Sequence, residues 1–217
     1  SSRLGPILPG LVSLNQSGFV KGRSILENIM LAQEIIHHNK KPNIGGNVII
    51  KLDIAKAYDR VSWSYICLVL RRMGFDEVLI DMVWRIMANN WYSIIVNGKR
   101  HGFFQSTRGL KQGDPLSPTL FILGAETLSK SLNRLYNNPE YHGFFMEARG
   151  PQVNHLSFAD DIILFTSGRQ KTLQLIMQTL QSYEQSSGQS VNIEKSHFMV
   201  HSCAFNSTKD RIKRITG

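Results

Sequence analysis

An α+β fold is predicted by three features. Helical periodicities alternate with short hairpins rather than with single buried strands, Asn97-Gly98 sits between two β-prone arms, and a late apolar run bends at a pair of aspartates. The 217 residues suit one large domain, and a 42% hydrophobic content supplies its core. No repeat or low-complexity linker divides the chain, so residues 1–217 are read as a single domain.

The elements follow in chain order. Ser24 and Glu27 form a capping box, and Ile25, Ile29, Ala32 and Ile36 then recur at helical spacing up to the polar loop NKKPNIGG. NVIIKLD alternates Val48, Ile50 and Leu52 against Ile49, Lys51 and Asp53, which predicts a strand with Asp53 at its carboxyl end. Two helices are expected next, Trp63 to Met73 closed by Gly74, and Glu77 to Asn90 opened by Asp76. WYSIIVNGKRHGFF reads as a hairpin about Asn97-Gly98. A turn-rich stretch leads to a helix with Ser117 as cap, Pro118 in its first turn, and Phe121, Ala125, Leu128, Leu132 and Leu135 as its buried stripe. After the Asp-Asp hairpin, Leu173, Ile176, Met177, Leu180 and Tyr183 mark a helix ending near Gly188. SVNIEKSHFMVHS is read as a strand, and the basic tail KDRIKRITG as a helix start or solvated end.

Composition narrows the chemistry. A formal charge of +9 creates a field that attracts polyanions such as nucleic acid. Cys67 and Cys203 show no ligand or redox spacing, which argues against a disulfide framework or zinc site and fits a reducing compartment. No apolar run reaches the roughly 18 residues that span a bilayer, and no signal-peptide core opens the chain, so no membrane partner is expected. Asn15-Gln16-Ser17 and Asn206-Ser207-Thr208 are accordingly read as coincidental glycosylation patterns.

The aspartates pose the sharper question. Two carboxylates about 4 Å apart repel by roughly 4 kcal/mol at an effective dielectric of 20, so a buried pair calls for a cation. Asp160 and Asp161 also suit an ordinary turn, which aspartate favours. If Asp53 and this bend share one sheet end, three carboxylates offer the oxygen ligands that Mg²⁺ takes, and two such ions can serve an in-line phosphoryl displacement.

IIKLDIAKAYDRVSW, RGLKQGDPLSP, FADD and GQSVNIEKS, in this order and preceded by LNQSGFVKGRSILENI, together resemble the reverse transcriptase domain of non-LTR (LINE-type) retrotransposons, particularly the plant elements. The resemblance covers nearly the whole chain. It implies a right-hand polymerase palm, a ferredoxin-like antiparallel sheet backed by helices, with partial fingers and with the thumb and endonuclease absent. It further implies an RNA-directed DNA polymerase acting on an RNA template, a DNA primer and dNTPs inside the cell, with two Mg²⁺ ions. Asp53 and Asp160 would ligate both ions, and Asp161 would be a less central third ligand. Tyr58 would lie under the nucleotide sugar and exclude a ribose 2′-hydroxyl. Gln112 and Gly113 would border the nucleotide, Gly113 for close backbone approach. Lys195 matches the lysine placed to protonate leaving pyrophosphate. Arg108, Lys111 and Arg23 are candidates for phosphate contacts, Lys56 and Asp59 for a structural ion pair, and Asp114 for a turn acceptor. The small Ala159 stands where retroviral relatives vary. Two other readings remain: a non-catalytic or domesticated nucleic-acid-binding remnant, and a two-metal nuclease, which leaves Tyr58 and the Gln112-Gly113 turn without a role.

Overall fold

The structure is a computed structural model that describes residues 4–147, 150 and 152–217. In chain order its helices and strands are α1 (Leu8–Leu11), α2 (Ile25–His37), β1 (Asn47–Leu52), α3 (Ala57–Arg60), α4 (Trp63–Arg72), α5 (Glu77–Ala88), β2 (Trp91–Val96), β3 (Lys99–Gln105), α6 (Ser117–Arg134), β4 (His155–Phe158), β5 (Asp161–Ser167), α7 (Gln170–Ser187), β6 (His197–Val200) and α8 (Asn206–Thr216). Four strands form one sheet in the order β4-β5-β1-β6. Each neighbouring pair is antiparallel. This is the α+β architecture expected, a sheet backed by helices.

Side-chain alternation sorts the sheet into two faces. Val48, Ile50, Leu52, Ile162 and Leu164 meet Ile66 and Leu70 of α4, Leu120 and Leu123 of α6, and Leu173, Ile176 and Leu180 of α7 in the larger core. Ile49, Leu156 and Phe165 on the opposite face meet Ala32 and Ile35 of α2, together with Phe144. Because both faces are covered over most of its length, β1 reads as a nearly continuous apolar run, broken only where Lys51 is exposed. Helix α2 covers one half of the second face and leaves the end carrying Lys51 and Asp161 open to solvent.

Most boundaries follow their expected chemistry. Helix α4 ends at Arg72 with Met73 as its carboxyl cap, and Gly74 is left-handed (φ +84°) just beyond it. The Asp76 side chain accepts from Val78 N, and α7 closes on left-handed Gly188. Asn97 and Gly98 both have positive φ, as a two-residue hairpin turn with right-handed strand twist requires. The hairpin they join is exposed along both strands and is braced by its own rings, Trp91 on Phe103 at 4.8 Å and Tyr92 on Phe104 at 6.0 Å between centroids.

Other expectations are corrected. Ile25 and Ile29 of the expected stripe are exposed, whereas Ala32 is buried as expected and Ile35 joins it, because only the carboxyl half of α2 reaches the sheet. Ser24 accepts from Leu26 N, whereas no Glu27 bond back to Ser24 completes a capping box among the described residues. Ser117 is the first residue of α6 and not its cap; Asp114 Oδ1 accepts from Leu116 N and takes over the turn. Helix α5 stops at Ala88, with Asn89 as its carboxyl cap, rather than at Asn90. The expected strand at 190–202 shrinks to β6, because Asn192 caps a 3-10 turn, Ile193–Lys195, inside it. The basic tail keeps the first of its two expected forms, a helix: it lies in α8, where Ile212 is buried. Short α1 and α3 lie below the length at which periodicity is readable.

Candidate active site

The last pair of the β1–β5 ladder is Leu52 with Ile162, so Asp53, one step further, stands level with Asp161. The hairpin β4–β5 closes with Phe158 opposite Asp161, which leaves Ala159 and Asp160 as its two turn residues. Antiparallel register thus brings residues about a hundred positions apart to one sheet end. The backbone of Asp53 is fixed from the β6 side, where its N–H donates to Ser196 Oγ at 3.1 Å and its C=O accepts from Asn192 N at 2.8 Å. Its carboxylate has no hydrogen-bond or ion-pair partner among the described residues.

The three acids are not equivalent. Asp161 is exposed and lies 3.8 Å from Lys51 Nζ across the strands. Among the described residues no group of three or more His, Cys, Asp and Glu side chains is close enough together to hold a metal ion. Asp53 and Asp161 thus stand level on neighbouring strands, Asp160 lies in the adjoining turn, and Asp161 faces the lysine. The donor set at this sheet end is oxygen alone. That suits Mg²⁺, which takes one or two carboxylates and leaves its other positions to water and phosphate.

Tyr58, on α3, stacks on Phe121 of α6 with ring centroids 4.7 Å apart and planes at 9°. Burial pushes its phenol above the usual range, and the negative charge of Asp160 adds to the shift. The half-buried ring is therefore neutral and within reach of the Asp160 field. Phe121, which the sequence assigned only to the core stripe, also serves as the platform for this ring.

The RGLKQG loop is docked on the same segment. Gly109 N donates to Val61 O at 2.9 Å, Leu110 N to Tyr58 O at 2.7 Å, and Trp63 Nε1 to Gly109 O at 2.6 Å. Gly109 has φ +89°, and a Cβ there would meet Asp59 O at 2.7 Å. Gly109→Ala is therefore expected to lower stability by roughly 1–3 kcal/mol, with the loop released from α3, readable by urea denaturation and by loss of amide protection at Leu110. Wild-type stability in this variant would contradict the docking.

Gln112 extends from this loop, with Nε2 at 3.5 Å from Asp59 Oδ1. No Lys56–Asp59 ion pair forms among the described residues. Lys56 instead adopts a left-handed conformation (φ +47°) at the start of α3. Gly113 is also left-handed, φ +88°, with open space where a Cβ would project. Arg108, Lys111 and Gln112 line a cavity of about 590 Å³ together with Asp59, Tyr92 and Phe104. Lys195 is exposed on the 3-10 turn whose flanking residues hold the backbone of Asp53.

Arg23 sits elsewhere. Its guanidinium donates to the carbonyls of Ser13, Gln16, Pro9 and Val12, at 2.5, 2.5, 3.1 and 2.8 Å. It organises the amino-terminal loop, and its donors face backbone rather than the sheet end. That loop contributes a contact the sequence concealed: the side chain of Gln16 bonds the backbone of Ala159 in the Asp160 turn. The sequence offered no local sign of it, because the partners are 143 residues apart.

The likeness to known proteins agrees with this geometry. The reverse transcriptase (RNA-dependent DNA polymerase) family profile matches residues 1–211. The chain is 32% identical over 182 residues to a Pol polyprotein from the type-1 retrotransposable element R2 of Popillia japonica, covering 83% of this chain and 24% of that protein. It is 30% identical over 165 residues to the corresponding polyprotein of the type-2 element R2DM of Drosophila melanogaster, covering 76% of this chain and 15% of that one. The chain thus spans about a quarter or less of these relatives. Among solved structures, apo telomerase from Candida tropicalis superposes with a TM-score of 0.65 over 94% of this chain and 41% of that one, at 17% identity, a likeness of fold. With its ordered motifs on an antiparallel palm-like sheet and retrotransposon polyproteins as its relatives, the chain belongs to the reverse transcriptase family and is a domain of the non-LTR type.

Proposed function

We propose that this chain is the palm, with part of the fingers, of an RNA-directed DNA polymerase that joins a deoxynucleotide to a primer 3′-hydroxyl on an RNA template. The observation that carries the reading is the β1–β5 register, which sets Asp53 beside the Asp160 turn on an open sheet end. Asp53 and Asp160 are the residues that would hold Mg²⁺. When bound, the ions would lower the cost of deprotonating the primer hydroxyl and neutralise charge on the transferring and leaving phosphates.

The protein's own groups position the reactants, which is most of what phosphoryl transfer asks of a polymerase. Tyr58, held flat by Phe121, presents a ring that excludes a 2′-hydroxyl by volume. Gln112, oriented by Asp59, and the open backbone of Gly113 form the nucleotide's approach. Arg108 and Lys111 offer charge to phosphates along the adjoining cavity. Lys195 stands ready to give a proton to pyrophosphate.

Primer extension on an RNA template with Mg²⁺, comparing the chain with its Asp160→Asn variant, tests the proposal. Incorporation by the first and a loss of at least roughly a hundredfold in the second are expected. Equal incorporation by both would sink the mechanism. Absence in both, with salt-sensitive nucleic-acid binding retained, would favour the binding remnant.

A further inference from the structure

We propose that Gln16 is a positioning residue for Asp160, acting through the backbone of Ala159; the inference rests on the polymerase reading above. The turn carrying Asp160 contains no glycine, yet Ala159 has φ +55°, a left-handed conformation that alanine enters against steric resistance. Ala159 is also 7% exposed, so its peptide groups need protein partners. The carboxamide of Gln16, itself 3% exposed, supplies them. Its Oε1 accepts from Ala159 N–H at 2.9 Å, and its Nε2 donates to Ala159 C=O at 3.2 Å.

The clamp is itself held. Gln16 Oε1 accepts a second bond from Gly18 N–H at 2.7 Å, and Gln16 C=O accepts from Arg23 at 2.5 Å. On either side, Ser157 N donates to Asn15 O at 2.8 Å and Ser17 N to Ser157 O at 3.0 Å, so the segment runs as a short extra edge beside β4. A Cβ on Gly18 would lie 2.3 Å from Ala159 N, which shows how closely the two backbones approach. The hairpin ladder fixes the turn at Phe158 and Asp161. Gln16 fixes it at Ala159, and between these anchors the backbone position of Asp160 is determined.

The requirement is specific. The side chain must present one acceptor and one donor at glutamine's reach. Glutamate lacks the donor and would bring a negative charge beside Asp160, asparagine is one carbon short, and methionine fills the space with no bond. This explains why Arg23, whose own bonds go to loop carbonyls, matters to the sheet end. Arg23 secures the loop, the loop presents Gln16, and Gln16 sets the turn.

Residue-resolved hydrogen exchange on the wild-type protein, followed by single-nucleotide incorporation with the Gln16→Met variant, tests the inference. The Ala159 amide of the wild type is expected to be protected as strongly as the amides of β1. In Gln16→Met its exchange should rise at least roughly tenfold while β1 stays protected, and kcat should fall roughly 10–100-fold with KM for the dNTP within about twofold. An unprotected Ala159 amide in the wild type would overturn the proposal, as would a variant with unchanged kcat, one whose loss is in KM alone, or one that loosens the whole sheet together. If Gln16→Met does not accumulate folded, the wild-type amide alone decides, since Gln16 is its acceptor. A wild-type chain that incorporates nothing would defeat the polymerase reading, whereas the exchange data would still judge the clamp.

Discussion

On the proposed polymerase reading, Asp53→Asn is expected to lower primer extension by roughly a thousandfold without lowering the melting temperature. The two effects separate because the backbone and the carboxylate of Asp53 do different things. Its N–H and C=O bond Ser196 and Asn192, and asparagine keeps both bonds. Its carboxylate has no partner among the described residues, so neutralising it removes no attraction within the chain. Asp161→Asn should behave differently. That carboxylate is 67% exposed in its side chain and lies near Lys51, so a loss of only a few-fold is expected, in line with the small worth of an exposed pair. Steady-state incorporation assays on the two variants, with thermal melts alongside, measure the contrast. Equal losses would place Asp53 and Asp161 on the same footing and remove the ranking drawn from geometry.

Acid is expected to weaken the fold through His155. This residue is 1% exposed, and burial lowers its pKa to about 4 from the ordinary 6.5. Asn154 Nδ2 donates to Leu132 O at 2.7 Å, which turns Asn154 Oδ1 toward His155 Nδ1, also at 2.7 Å. The ring must therefore donate from Nδ1, and its Nε2 accepts from Ser129 Oγ at 3.0 Å. Every position of the neutral imidazole is used, and a second proton would leave the Ser129 hydroxyl facing a donor. The folded pKa lies below the unfolded one, so the contribution is complete above pH 6.5 and is lost as pH falls toward 4, where the slope ends. Integrated over that window at 1.36 kcal/mol per unit, the loss is about 3 kcal/mol. Urea denaturation at a series of pH values should show this slope in the wild type and a shallower one in His155→Gln. Parallel slopes would mean that another group carries the acid sensitivity.

The same residues show where reading along the chain succeeds and where it stops. Gly74, Asp76, Asn97-Gly98 and Gly188 act within a few residues of themselves, through a positive φ or a capping bond, and each marks an element boundary where the sequence places it. The apolar stripes of α6 and α7 are equally local, since helical spacing puts their members on one face wherever the helix packs. Ile25 and Ile29 carry the same signal and are exposed, because whether a stripe is buried depends on how far the helix reaches over the sheet. Amino acid order could not give that reach.

The candidate site divides along the same line. Asp53 at a strand end, paired aspartates in a bend, and a glycine-bearing loop before a helix were all legible, because each is a short pattern with its own chemistry. That Asp161 turns to Lys51, that Arg23 faces backbone carbonyls, that Asp59 meets Gln112 and that Gln16 grips Ala159 were decided only in three dimensions. Local sequence specifies φ, capping and amphipathic period through interactions a few bonds apart. Which acid keeps a free carboxylate, and what holds its turn in place, depends on strand register and on a loop 143 residues away, and these exist only once the core has closed.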